Sequence, residues 1–136
     1  MSSDWFKDVH DMHVHYGFHE RLSALGPEKL ADMLEFRKKF LAEEMNELET
    51  AETPHDVVDA LIDLCVVAIG TLDLYEVNGH LAWDRVHRAN MNKRVGIKES
   101  RPNPLGLPDL IKPNDWVAPD HDDNVGSLSE FFKEDA

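Results

Sequence analysis

The chain has 136 residues and a mass of 15.5 kDa, enough for one domain with an adequate core. Its 14 Lys and Arg stand against 27 Asp and Glu, a formal charge of −13, and so acidic a surface repels phosphate backbones and argues against nucleic acid as a partner. The 42% apolar content is that of a folded globular protein, and the longest apolar stretch, Leu64 to Leu72, is far short of the ~20 residues of a membrane helix.

In chain order, the opening MSSDWFKDVHD has neither a basic n-region nor an apolar h-region, so no secretory signal is expected. Phe6, Val9, Met12 or His13, and Tyr16 recur at helical spacing and predict a first helix over Asp4 to Tyr16, stopped by Gly17. Pro27 suits a first helical turn, where its missing N–H costs nothing. The stripe Leu30, Leu34, Leu41, Met45 and Leu48 carries that second helix on to the 50–53 connection. Thr53-Pro54 reads as N-cap plus first-turn proline and opens a third helix to about Val77. Within it lies Cys65, the single cysteine, which rules out an intrachain disulfide and fits a reducing cytoplasm. Asn78-Gly79 closes the third helix, and a fourth runs from about His80 to Arg94.

There is little period-2 alternation and no hairpin dipeptide between β-branched runs, so strands are not expected. Four helices with short connections predict an all-α four-helix bundle over residues 1–96. Residues 97–136 hold Pro102, Pro104, Pro108, Pro113 and Pro119, against only Pro27 and Pro54 before them, and read as an irregular Pro-rich C-terminal arm. Leu105, Leu107, Leu110, Ile111, Trp116 and Val117 are too apolar for a free tail, so this arm is expected to pack on the bundle or on a partner subunit. A short terminal helix is expected over Ser127 to Lys133.

The third helix carries the chemistry. Apart from its acids, residues 57–72 are apolar nearly all round, the mark of a helix buried on most sides. Asp56, Asp59 and Asp63 are spaced three and four apart and share a face. Ionised carboxylates there are costly unless paired or bound to metal. Across the short connection the second helix offers Glu43, Glu44 and Glu47 rather than cations at the facing position, although Arg37, Lys38 and Lys39 lie nearby for structural ion pairs. Facing acids of this kind suit Mg²⁺ or Mn²⁺. An ExxE pair alone is usually a solvated face; beside Asp59 and Asp63 in so apolar a helix, metal is the better reading.

Glu43-Glu44-x-x-Glu47 followed by Asp63 resembles the EExxE and ExxD signature of the MazG-like, all-α nucleoside triphosphate pyrophosphohydrolases. Twelve residues separate Glu47 from Ala60, the position of the family's second Glu; Ala60 cannot bind metal, and Asp59 is expected to replace it, a DxxxD pattern similar to phage-type members. Val86-His87-Arg88-Ala89-Asn90-Met91-Asn92-Lys93 resembles the VHxxNMxK stretch that ends the helical core of that group, and the arm from Ser100 to Asp120 is similar to its C-terminal extension.

The resemblance spans residues ~28–120 and implies hydrolysis of a nucleoside triphosphate to monophosphate and pyrophosphate, with a purine deoxynucleotide as the expected substrate. It implies two or three Mg²⁺ or Mn²⁺ ions on Glu44, Glu47, Asp59 and Asp63, with Glu43 as ligand or general base and Glu44 at the catalytic centre. Asn90 and Lys93 would contact substrate phosphates, with Arg94 and Lys39 completing the substrate-binding set. Trp5, Phe6, Phe36 and Trp83 are candidates for a base slot. A homodimer or homotetramer is expected, in the cytoplasm, or in the host's if the chain is phage-encoded, with no nucleic-acid or membrane partner.

Two other readings compete. His55-Asp56, with His10, His13, His15, His19 and His121-Asp122-Asp123, invites an HD-type phosphohydrolase, although Asp56 is more simply an acid near a positive helix end. The first-helix histidines could also bind a transition metal, against the plainer view that they are surface or interface residues. Alternatively, Ala60 at a ligand position favours a non-catalytic acidic helical module with the arm as its docking strap.

Overall fold

The computed structural model describes residues 1–101 and 103–132; Pro102 and Lys133, named above, lie outside them. Among the described residues are five α-helices: α1 (Trp5–His15), α2 (Phe18–Leu22), α3 (Pro27–Glu49), α4 (Pro54–Leu74) and α5 (Gly79–Met91). Two three-residue strands follow, β1 (Arg94–Gly96) and β2 (Asp109–Ile111), then a 3-10 turn over Gly126–Glu130. The fold is all-α apart from that ladder. The chain forms two compact units, one made of residues 1–79 with the segment from Asn124, the other of residues 80–123.

The first unit is built on the α3–α4 hairpin. Its connection is tied at both ends: the Thr50 hydroxyl donates to the Asn46 carbonyl at 2.9 Å, and Thr53 Oγ1 accepts from the Asp56 amide at 3.1 Å. Ala60, Val67 and Leu74, seven apart on α4, are all but fully buried. Leu30 and Arg37 fill the α3 side. Arg37 takes a place in the stripe where an aliphatic residue would be expected, and anchors its guanidinium on Thr71 Oγ1 and the Val67 carbonyl, both at 2.9 Å. Met45, expected in the stripe, is exposed.

α1 runs in the same direction as α4, with Trp5 and Val9 beside Ile62 to Ile69 and His13 beside Gly70. The choice between Met12 and His13 resolves to His13, which is buried while Met12 is exposed. Gly17, at φ +76°, does not simply end the helix; it turns the chain into the short α2, which the sequence reading missed. Tyr75, 1% exposed, donates its hydroxyl to the Leu30 carbonyl at 2.6 Å, and its own carbonyl receives the Ser127 amide at 2.8 Å. The terminal segment therefore packs on the bundle, as a 3-10 turn rather than an α-helix, with Phe131 against the Tyr75 ring.

The second unit contains a correction. β1 and β2 pair antiparallel, Arg94 with Ile111 and Gly96 with Asp109, where strands were not expected. α5 stops at Met91, so Lys93 and Arg94 lie beyond it. Trp116 Nε1 donates to the Ala89 carbonyl at 2.7 Å, and Lys93 and Lys112 cover the indole at 5.6 and 4.9 Å. Leu105, Leu107 and Val117 remain exposed.

α4 is less enclosed than its composition suggests. Val57, Val58, Leu61 and Ile62 are exposed in the single chain. Among the described residues no helix is long and apolar enough to cross a membrane.

Candidate active site

Because α3 and α4 are antiparallel about a short connection, the end of one faces the early turns of the other. This brings carboxylate oxygens of Glu44, Glu47 and Asp63 within 4.8 Å of one another. Glu44 lies nearest the helix interface; its Oε2 is shielded from solvent and has no hydrogen-bond partner. Burial raises the Glu44 carboxyl above the ordinary Glu range, reinforced by the charge of Glu47 and then by Asp63 and Glu43. A shielded oxygen without a donor, in a group of acids that raise each other's proton affinity, is the environment in which a divalent cation fits. The donor set, all carboxylate oxygen, suits a hard ion.

The other candidates fall around this group. Glu43 is exposed and, with Lys39, Ala42, Asn46 and Glu47, lines an open depression on α3. Asp59, one turn before Asp63, is exposed and outside the three-acid group. Ala60 points into the core instead. Asn90, Lys93 and Arg94 belong to the second unit; Asn90 and Arg94 are exposed, and Lys93 lies over Trp116. Trp5 lines a cleft of about 200 Å³ with Val9, Ile62, Cys65, Val66 and Ile69. Phe36 is exposed and meets Phe40 edge-on.

His55 and Asp56 are both exposed at the first turn of α4. Elsewhere, His10, His13 and His19 meet on Asp73, a residue the sequence reading did not single out. The clue was available: Asp73 is the next acid after Asp63 on an otherwise apolar helix.

A family profile for phosphoribosyl-ATP pyrophosphohydrolase matches residues 15–90, more than half of the chain. The chain belongs to that family, which lies within the MazG-like, all-α nucleoside triphosphate pyrophosphohydrolase superfamily. It is thus a pyrophosphohydrolase of nucleotide-like substrates, of a kind typically dependent on a divalent metal. No curated protein matches the chain. The matched span contains the Glu44, Glu47 and Asp63 group.

Proposed function

We propose that this chain hydrolyses a nucleoside triphosphate, with a purine deoxynucleotide as the favoured substrate, to the monophosphate and pyrophosphate. The observation that carries the reading is the meeting of Glu44, Glu47 and Asp63 with one carboxylate oxygen buried and unsatisfied. Glu44, Glu47 and Asp63 would hold Mg²⁺ or Mn²⁺, with Asp59 a turn away to extend the acidic face. Such ions, when bound, neutralise phosphate oxygens and lower the pKa of water. Glu43, exposed beside the group, accepts the proton of the attacking water. The water oxygen bonds to the α-phosphorus, the bond from that phosphorus to the bridging oxygen breaks, and pyrophosphate leaves. Lys39, on the same side of α3 as Glu43, contributes to phosphate binding.

The family profile favours a second substrate, phosphoribosyl-ATP, whose hydrolysis also releases pyrophosphate. Incubation with the eight common triphosphates and with phosphoribosyl-ATP, resolving products by anion exchange, separates the two. Turnover of triphosphates supports the first reading; turnover of phosphoribosyl-ATP alone replaces it. We further propose a homodimer or homotetramer, supported by the uncovered Val57, Val58, Leu61 and Ile62 on α4.

A further inference from the structure

In the last turn of α4, ten residues past Asp63, three imidazoles converge on one carboxylate. His10 Nδ1 lies 2.7 Å from Asp73 Oδ1, His13 Nδ1 2.7 Å from Oδ2, and His19 Nε2 2.9 Å from the same Oδ2. Three elements supply them. His10 and His13 stand three apart on α1, Asp73 lies in the last turn of α4, and the left-handed Gly17 folds α2 back to deliver His19. Gly70 makes room: a Cβ there would stand 3.2 Å from His13 Cε1.

We infer that His10, His19 and Asp73 form a site for a single divalent transition-metal ion of the Zn²⁺ class, separate from the acidic group. One donor atom from each of the three lies within 4.8 Å of the other two. Two imidazoles and a carboxylate are ligands for Zn²⁺, Co²⁺ or Ni²⁺ rather than for Mg²⁺, which takes oxygen donors. Asp73 sits ten residues beyond Asp63, about 15 Å along the helix, so one ion cannot serve both groups.

The roles divide by burial. A carboxylate only accepts, so each ring nitrogen facing Asp73 now carries a proton. His10 is exposed and His19 partly so, and moving the proton to the other ring nitrogen turns a lone pair toward the ion. His13 is 3% exposed and stays behind the site as a positioning residue, its Nδ1–H holding the Asp73 carboxylate as outer hydrogen bonds hold metal-ligating groups. Three protein donors leave room for water on a four-coordinate ion. The ion would clasp α1 and α2 to α4.

The test uses the full chain with Glu47→Gln and Asp63→Asn, so that the acidic group cannot contribute. Zn²⁺ is titrated against a chromophoric chelator, and Co²⁺ is followed by its visible absorption. The expected result is one ion per chain, unaffected by excess Mg²⁺. Adding His10→Ala or His19→Ala singly should weaken binding at least about tenfold, and the two together should abolish it and the Co²⁺ bands. Both rings lie toward solvent, and either single variant suffices if the double one does not fold. Failure of the acid-neutralised chain to bind Zn²⁺, or binding that survives loss of both histidines, overturns the inference. Because the acidic group is disabled throughout, the result does not depend on the proposed hydrolase activity.

Discussion

At the residue scale, the tightest constraints are places where a side chain has no room. Gly126 has φ +54°, and a Cβ there would fall 1.9 Å from the Tyr75 carbonyl oxygen. Backbone cannot yield as a side-chain tip can, so Gly126→Ala should detach the terminal segment and lower the thermal midpoint. Gly70→Ala would place its Cβ 2.9 Å from Arg37 Nη2. That guanidinium is itself held by Thr71 and the Val67 carbonyl, so the clash should cost roughly 1–3 kcal/mol in denaturant unfolding. An unchanged midpoint for Gly70→Ala would show that Arg37 is not anchored as described. Tyr75→Phe removes only the hydroxyl bond to Leu30 and should cost about 1 kcal/mol. None of these positions was legible beforehand. A glycine in a helical pattern does not announce which neighbour approaches it, and Arg37, expected to serve structural ion pairs, instead faces the core and bonds Thr71 and the Val67 carbonyl.

The α3–α4 hairpin is the element on which the candidate site depends, and it was the most legible part of the chain. Thr53-Pro54 marks the start of α4 within its observed N-cap geometry, and the apolar periodicities are long enough to be unambiguous. From those two facts the meeting of Glu44, Glu47 and Asp63 follows by antiparallel packing. The position of Asp59 does not, because a shared helix face spans a broad arc and a turn's displacement along the axis removes a side chain from a cluster. The proposed site therefore orders the acid variants: Glu47→Gln and Asp63→Asn should lower turnover more than about a hundredfold, with Asp59→Asn the mildest of the three. Equal loss at all three would place Asp59 among the ligands. Mutual repulsion adds a second expectation, that Glu47→Gln raises the thermal midpoint of the metal-free chain while reducing the further rise on adding Mg²⁺. Short elements were the least legible. α2 and the β1–β2 ladder span five and three residues per element, too few for a hydrophobic period to register, and they depend on the Gly17 turn and on pairing between distant residues.

For the whole molecule, the charge of −13 and the uncovered apolar face of α4 pull in different directions. Net negative charge opposes association, whereas Val57, Val58, Leu61 and Ile62 favour covering that face. The proposed oligomer predicts a sedimentation mass of at least two chains at moderate salt, falling to one chain with Val58→Glu and Leu61→Glu together. A wild-type chain sedimenting as a monomer would set that proposal aside. The family assignment is independent of it, since it rests on the matched span and not on association.

The most direct test of the proposed function is product analysis with dGTP and dATP in the presence of Mg²⁺ or Mn²⁺. The account predicts deoxynucleoside monophosphate and pyrophosphate in equal amounts, formed by the wild-type chain and not by Glu47→Gln. Orthophosphate with a diphosphate, deoxynucleoside with triphosphate, or activity undiminished in Glu47→Gln would contradict it.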